Sequence, residues 1–142
     1  LLIKVKINLL IASHNKEHHM SEYKSVHIAA GKGGWGGPLT ITPTDKKKYI
    51  YSVTGGGIHP VAQRIADLTG GVPFDGFKSS VPFDEIAVAV IDCGGTARVG
   101  VYPMKKVLTV DIHATSPAGP LAQFITKELF VSGVKPDDVK EA

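Results

Sequence analysis

The chain has 142 residues, of which 43% are hydrophobic and 20% are charged, and its formal net charge is +3 at pH 7. This length is typical of one globular domain whose core needs no disulfide or metal. The small, scattered charge does not indicate nucleic-acid binding, and a single cysteine cannot form an internal disulfide, which favours a cytosolic protein. No apolar run reaches the roughly 18–20 residues that a membrane helix requires.

The N-terminal segment differs from the rest of the chain. Its apolar run is broken by lysines and followed by the polar stretch HNKEHH, and the first methionine is Met20. We therefore interpret residues 1–19 as an extension or an artificial addition, and residues 20–134 as the domain. The alternative is an edge strand, because Ile3, Val5 and Ile7 alternate with lysines.

Three strands are predicted next, at residues 24–30, 39–43 and 48–54. The loop GKGGWGGP (31–38) joins the first two strands and holds the only tryptophan, Trp35. This loop lacks the GK[ST] ending of a phosphate-binding Walker loop, and no helix follows it. A flexible hairpin connection, a rigid wide loop and a partner-contact surface all remain open for it.

The period of the pattern then changes to that of a helix over residues 58–69, which begins near Pro60 and ends at Gly70-Gly71. Residues 71–84 are predicted to be a loop, and EIAVAVID (85–92) is apolar enough to be a strand covered on both faces. A further strand is predicted at residues 106–113.

A second helix is predicted after Ser116-Pro117, with Leu121, Phe124, Ile125 and Leu129 on its inner face, and residues 135–142 are predicted to be a polar linker or tail. These elements predict an α/β fold with a mixed sheet and about two helices. Strands 48–54 and 85–92, with helix 58–69, form a βαβ unit, and the earlier strands are antiparallel.

The only cysteine, Cys93, follows the apolar strand, where ligands gather in open α/β sheets. Gly94 and Gly95 allow backbone N–H groups to converge on an anion, Thr96 adds a hydroxyl donor, and Arg98 adds a guanidinium suited to phosphate. Together these groups would stabilise a thiolate and then a phosphoryl group without a metal or other cofactor. The loop is therefore predicted to bind phosphate beside a nucleophilic Cys93.

Two other interpretations of Cys93 remain open. It could be an inert, small buried residue in an anion-binding regulatory module. It could also belong to a cysteine-dependent phosphatase, although four residues separate Cys93 from Arg98 where the familiar phosphatase loop has five, and no general acid is evident. Asp92 is an awkward neighbour for a thiolate and could instead hold the loop backbone.

Other residues are candidates for supporting positions. Gly56 and Gly57 lie in TGGGIHP, which leads into the first helix and could place an anion at its N-terminus. His59 and His113 could carry protons, although lone histidines are more often structural. The histidines and the cysteine lack the spacing of a zinc site.

Three segments carry a resemblance to a known family: GKGGWGGPL, AVIDCGGTARVGVYP and SPAGPLAQFI followed by VSGVK. They resemble the B domain of the glucitol/sorbitol-specific enzyme II of the bacterial phosphoenolpyruvate-dependent sugar phosphotransferase system. The resemblance extends from about Val26 to Val134.

This resemblance implies that Cys93 accepts a phosphoryl group from a phosphohistidine of the A component. It also implies transfer to the sugar alcohol during uptake through the membrane C component, with Gly94, Gly95, Thr96 and Arg98 forming the surrounding loop. A protein with these partners would lie in the cytoplasm at the inner face of the bacterial membrane and would not bind nucleic acid.

Overall fold

The computed structural model describes residues 22–93 and 99–142. The interpretation of residues 1–19 as an extension lies outside the described residues. The strands and helices follow one another as β1 (Val26–Ile28), β2 (Leu39–Ile41), β3 (Tyr49–Val53), α1 (Pro60–Thr69), β4 (Val72–Asp75), β5 (Ile86–Ile91), α2 (Val101–Met104), β6 (Thr109–Asp111), β7 (Phe130–Ser132) and β8 (Val139–Glu141). Short 3₁₀ turns lie at Phe83–Glu85, Ala122–Phe124 and Pro136–Asp138.

The predicted α/β class is confirmed, but the predicted single mixed sheet is two sheets. Five parallel strands form one sheet in the order β4-β3-β5-β6-β7, and three antiparallel strands form the other in the order β2-β1-β8. The strands predicted over 48–54 and 85–92 are parallel neighbours, as predicted, but helix α1 leads from β3 into β4, so the βαβ unit is β3-α1-β4. The first two strands are antiparallel, as predicted.

The order of the parallel strands reverses between β3 and β5. The chain moves outward from β3 to β4 through α1, then returns to the other side of β3 and continues through β5, β6 and β7. This is the strand order of a doubly wound sheet, in which the crevice for ligands lies at the carboxyl ends of the two strands where the order reverses. In this chain those ends are Val53 and Ile91, which are partners in the register of β3 and β5.

Helix α1 forms where its pattern predicts, because both its ends carry strong local signals. The His59 side chain caps its first turn, Pro60 occupies the first helical position, and Gly70 ends it in a left-handed conformation with a φ of 84°. Its buried face (Val61, Ala62, Ile65) shares one core cluster with residues of both sheets. The helix therefore joins the antiparallel sheet to one face of the parallel sheet.

The C-terminal residues correct the sequence interpretation of a polar tail over 135–142. Strand β8 pairs with β1 along its whole length, and Val139 is fully buried in the core cluster that contains α1. The Arg64 side chain donates a hydrogen bond to the Val139 carbonyl at 2.8 Å. One buried valine among polar residues is a weak pattern, which explains why the segment was predicted to lie outside the fold.

The second predicted helix is wrong in position. Between Ser116 and Leu129 the structure has only the 3₁₀ turn Ala122–Phe124, because Gly119 adopts a φ of 76° and Pro120 follows it. Ile125 is still buried, so its apolar character reflects a core position without a helix. The second helix of the described residues is instead the short α2, after the cysteine loop.

The predicted loop 71–84 contains the edge strand β4, which the sequence pattern missed because Pro73 and Phe74 interrupt any alternation. Strand β7 was also missed, since it has only three residues and is fully buried.

The glycine-rich loop 31–38 lies along the outer edge of β7. The Trp35 carbonyl accepts from the Ser132 N–H at 2.9 Å, the Gly37 N–H donates to the Phe130 carbonyl at 2.9 Å, and Gly36 forms an isolated bridge with Val131. A Cβ atom on Gly34 would lie 2.0 Å from the Ser132 carbonyl oxygen. The glycines therefore allow this loop to approach the β7 backbone closely, which favours the rigid loop among the three alternatives.

Candidate active site

The candidate nucleophile lies where the strand order of the parallel sheet reverses. Strand β5 ends at Ile91, and Asp92 and Cys93 follow it directly. Cys93 is half-buried and packs against the core cluster on the sheet face opposite α1, which includes Ile91 and Val99. The position predicted for Cys93, at the carboxyl end of a buried strand, is therefore present in the structure.

The Asp92 and His113 side chains meet beside Cys93, in a contact that is an ion pair when His113 is protonated. His113 Nε2 lies 2.7 Å from Asp92 Oδ1, and both side chains remain partly open to water, with 54% and 38% of their surfaces exposed. His113 belongs to the loop after β6, the neighbour of β5, so two adjacent strand ends supply the pair. Both residues were candidate supporting residues from the sequence, and the structure brings them together.

Asp111, the last residue of β6, was not among the candidates, yet its carboxylate contacts Cys93. The side chain is fully buried and accepts from the backbone N–H of His113 and the hydroxyl of Thr115, each at 3.0 Å. It also accepts a hydrogen bond from the backbone N–H of Cys93. Burial raises the pKa of Asp111, while these three hydrogen bonds act in the opposite direction.

Gly56 and Gly57 lie on the neighbouring strand end, in the loop that follows β3. The Gly57 carbonyl accepts from the hydroxyl of Thr54 at 3.1 Å, and Gly57 has a left-handed φ of 87°, which requires glycine. A Cβ atom on Gly56 would have no described atom within 4 Å. Among the described residues, nothing therefore crowds Gly56 on the β3 side of the strand-order reversal.

His59 is half-buried and caps the first turn of α1, which leaves fewer backbone N–H groups for the anion predicted at that helix N-terminus. Its Nδ1 accepts from the Val61 N–H at 3.1 Å, and Pro60 has no N–H to offer. Two first-turn positions are thus closed to a ligand. Burial lowers the pKa of His59, and the nearby Asp92 carboxylate opposes this shift more weakly. With Nδ1 as acceptor, the neutral imidazole carries its proton on Nε2.

The predicted phosphate-binding residues Gly94, Gly95, Thr96 and Arg98 lie outside the described residues. Their assignment therefore remains a prediction. Of the remaining candidates, the structure joins Asp92 to His113 and places Gly56 and Gly57 on the adjacent strand end.

Asp111 was missed because its importance depends on strand pairing. In the sequence it is one acidic residue in KVLTVDIH, and its register opposite Ile91 of β5 is a long-range property. The available signal was an acidic residue within the mainly apolar run VLTVDI (107–112), since a buried carboxylate requires partners.

Within residues 22–93 and 99–142, no three His, Cys, Asp or Glu side chains are grouped so that they could hold a metal ion. In the same two segments, no helix combines the length and the apolar character needed to cross a membrane.

Comparison with known proteins gives a family match and a relative. A family model described as "Sorbitol phosphotransferase enzyme II N-terminus" matches residues 25–142. The "PTS system glucitol/sorbitol-specific EIIB component" of Clostridium beijerinckii (strain ATCC 51743 / NCIMB 8052) is 44% identical over 116 residues, which cover 81% of this chain. Those residues are 34% of the relative, so the chain spans about a third of that protein's length. No solved structure matches significantly.

Proposed function

The chain belongs to the family of N-terminal domains of sorbitol phosphotransferase enzyme II, and from this premise we propose that it is a phosphoryl carrier in which Cys93 accepts and passes on a phosphoryl group. The observation that carries the proposal is the position of Cys93. It is the chain's one cysteine, half-buried at a strand end where the order of a parallel sheet reverses. That is the place where doubly wound sheets bind ligands.

The chemistry consists of two transfers. In the first, the Cys93 thiolate attacks the phosphorus of a phosphohistidine on the A component, so that an S–P bond forms and the N–P bond breaks with its electron pair on the histidine. In the second, a hydroxyl oxygen of the sugar alcohol attacks the same phosphorus. The O–P bond forms, the S–P bond breaks, the thiolate is regenerated and the hydroxyl proton is released to solvent or to a base of the partner.

Neither transfer requires a metal if donors around the phosphoryl group balance its charge. We assign this role to Gly94, Gly95 and Thr96, through backbone and hydroxyl donors, and to Arg98 through its guanidinium. The Asp92–His113 pair is partly exposed and adjoins Cys93 in the chain. When His113 is protonated, its positive charge compensates the Asp92 carboxylate, which would otherwise repel an incoming phosphoryl group.

The partners follow from the same premise. The donor is the phosphohistidine of the glucitol-specific A component, the acceptor is glucitol (sorbitol), and the membrane C component holds that acceptor during uptake. The domain then acts in the cytoplasm, at the inner face of the bacterial membrane. A half-buried cysteine beside an exposed ion pair suits this role, since the site must meet two protein surfaces in turn.

Intact-mass spectrometry tests the carrier role directly. The protein is incubated with phosphoenolpyruvate, the general phosphotransferase proteins and the A component, and is kept at mildly alkaline pH because a thiophosphate ester is labile to acid. We expect one added phosphoryl mass on the wild-type chain and none on Cys93→Ser. The matched control is His27→Gln, which removes an exposed histidine in the middle of β1 and should retain the added mass.

Two results would reject the proposal. One is the absence of added mass on the wild-type chain while the A component is shown to be phosphorylated. The other is an added mass that persists in Cys93→Ser, because the acceptor would then be another residue. Steady release of phosphate from a small aryl phosphate by the wild-type chain would instead favour a cysteine-dependent phosphatase.

A further inference from the structure

Buried polar side chains are concentrated at the carboxyl ends of the strands in the parallel sheet. Ser52 lies near the end of β3, Asp111 ends β6 and Ser132 ends β7, and all three are fully buried. Strand pairing places Asp111 between Ile91 of β5 and Ser132 of β7. Asp111 therefore stands directly beneath the loops that leave these three neighbouring strands.

The partners of Asp111 explain why this position needs a carboxylate. Oδ1 accepts from the His113 N–H and Oδ2 accepts from the Thr115 hydroxyl, while the Cys93 N–H is a third donor. An ionised carboxylate has acceptor sites only, whereas an asparagine would turn a donor NH₂ toward one of these donors. Hydrogen bonds to an ionised acceptor are about twice as strong as bonds between neutral groups.

A fully buried carboxylate is costly, because burial disfavours its charged form. The raised pKa of Asp111 is consistent with that cost. An apolar residue would fill a buried strand end more cheaply, as Ile91 does on the neighbouring strand. The three convergent donors show what the carboxylate contributes: it connects the backbone of Cys93 to the loop after β6.

We infer that Asp111 is a positioning residue for Cys93, which fixes the backbone of Cys93 against the loop that carries His113. This inference deepens the proposed function and rests on it for its catalytic consequence. With the Cys93 N–H bound to Asp111, the backbone of Cys93 is held against the end of β6. The Asp92–His113 pair is held from the same carboxylate, through the His113 N–H.

The same hydrogen-bond network reaches the glycine-rich loop. The Thr115 carbonyl accepts from the Ser132 hydroxyl, and Ser132 Oγ in turn accepts from the Trp35 N–H at 2.8 Å. The network therefore runs from Trp35 through Ser132 and Thr115 to Asp111 and Cys93. Networks of this kind fix a unique arrangement when every member is satisfied, and no buried side-chain N or O atom in the described residues lacks a partner.

The test compares Asp111→Asn with Thr109→Val. Asp111→Asn keeps the side-chain volume and removes the charge and one acceptor atom. Thr109→Val removes a buried hydroxyl from the same strand, one that donates to the Val107 carbonyl and takes no part in the Cys93 network. Two quantities are measured for each full-length variant: hydrogen exchange of the Cys93 amide by NMR, and the rate of phosphoryl transfer from the A component over a range of donor concentrations.

For Asp111→Asn we expect roughly tenfold faster exchange at Cys93 and a roughly tenfold lower maximal transfer rate, with an unchanged KM for the phosphorylated donor. Thr109→Val should change neither. Unchanged Cys93 exchange in Asp111→Asn overturns the inference, and so does an equal loss in Thr109→Val, because the effect would then be general destabilisation.

A second variant covers the case in which Asp111→Asn does not fold. Thr115→Val removes only the donor to Oδ2, and we expect about threefold faster exchange at the Cys93 amide. Wild-type exchange at Cys93 in that variant would overturn the inference. The hydrogen-exchange measurement needs no phosphoryl donor, so it tests the positioning of Cys93 independently of the proposed function. If the wild-type chain fails to accept a phosphoryl group, the proposed function is rejected, and hydrogen exchange at the Cys93 amide still decides whether Asp111 positions Cys93.

Discussion

Substitution of Gly34 by alanine should cost more stability than a loop glycine ordinarily would. Its Cβ atom would lie 2.0 Å from the Ser132 carbonyl oxygen and 2.7 Å from the carbonyl carbon, both in the backbone of β7. Because Cβ contacts under 3.0 Å essentially never occur, the loop must retreat by about 1 Å. Gly34 has no left-handed φ, so this clash isolates the effect of close approach from that of backbone conformation.

The loss can be worked out from the hydrogen bonds between this loop and β7. The three shortest are Trp35 N–H to Ser132 Oγ at 2.8 Å, Ser132 N–H to the Trp35 carbonyl at 2.9 Å, and Gly37 N–H to the Phe130 carbonyl at 2.9 Å. A retreat of about 1 Å takes such bonds beyond hydrogen-bond distance. At about 0.5–1.5 kcal/mol each, losing these three lowers the free energy of unfolding by about 2–4 kcal/mol.

Urea denaturation of the two glycine variants, Gly34→Ala and Gly56→Ala, measures this difference. A Cβ atom on Gly56 meets no described atom within 4 Å, and its φ is not left-handed. We expect Gly56→Ala to be unchanged or up to about 1 kcal/mol more stable. The reasoning is refuted if Gly34→Ala lies within about 0.5 kcal/mol of the wild type, or if Gly56→Ala loses as much as Gly34→Ala does.

Three further predictions concern the cap of α1, the C-terminal strand and the core. The lowered pKa of His59 favours its neutral form in the folded state, so the contribution of His59 to the free energy of unfolding is complete above the unfolded pKa of about 6.5 and is lost as the pH falls below that value. The variant His59→Asn, which retains an N-cap acceptor, should therefore flatten the pH dependence of the free energy of unfolding between pH 8 and 5. An unchanged slope would contradict this. Val139→Ala should lower the free energy of unfolding in urea by about 2 kcal/mol, because Val139 is fully buried. Its control, Lys140→Ala at an exposed position of the same strand, should stay within about 0.5 kcal/mol of the wild type. Equal effects of the two substitutions would place β8 outside the core. Phe130→Ala should cost about 3–5 kcal/mol by the same assay, since Phe130 is fully buried against Trp35, and a cost below about 1 kcal/mol would contradict the packing of that cluster.

The elements predicted correctly are those whose signals are local. Strand β5 is six consecutive buried apolar residues, and α1 has a proline at its start and a glycine at its end. The helix predicted after Ser116 shows the limit of such signals. Its apolar spacing is helical, but the left-handed Gly119 prevents a continuous helix, and Ile125 reaches the core from a turn.

The candidate site also combines residues that local signals predict with residues that only the long-range fold brings together. Cys93 was predictable because the end of a buried strand can be read along the chain, and Asp92 because it is adjacent in sequence. The meeting of Asp92 with His113 and the convergence of donors on Asp111 depend on which strands are neighbours. Strand order is a long-range property of the fold, and no pattern within one segment specifies it.

The glycine-rich loop also shows how the sheet supports the site. Strand β7 is the last strand of the parallel sheet, and an exposed edge there would invite pairing with another chain. The loop covers that edge, and its Trp35 N–H bonds Ser132, which continues through Thr115 to Asp111. The opposite edge, β4, is protected differently, since Pro73 removes one backbone donor.

Covering β7 thus protects the sheet and also completes the hydrogen-bond network beneath Cys93, so a variant that detaches the loop should weaken phosphoryl transfer as well as stability. Gly34→Ala measured in the transfer assay, below its unfolding transition, tests this link: a wild-type rate would show that the loop serves the sheet alone.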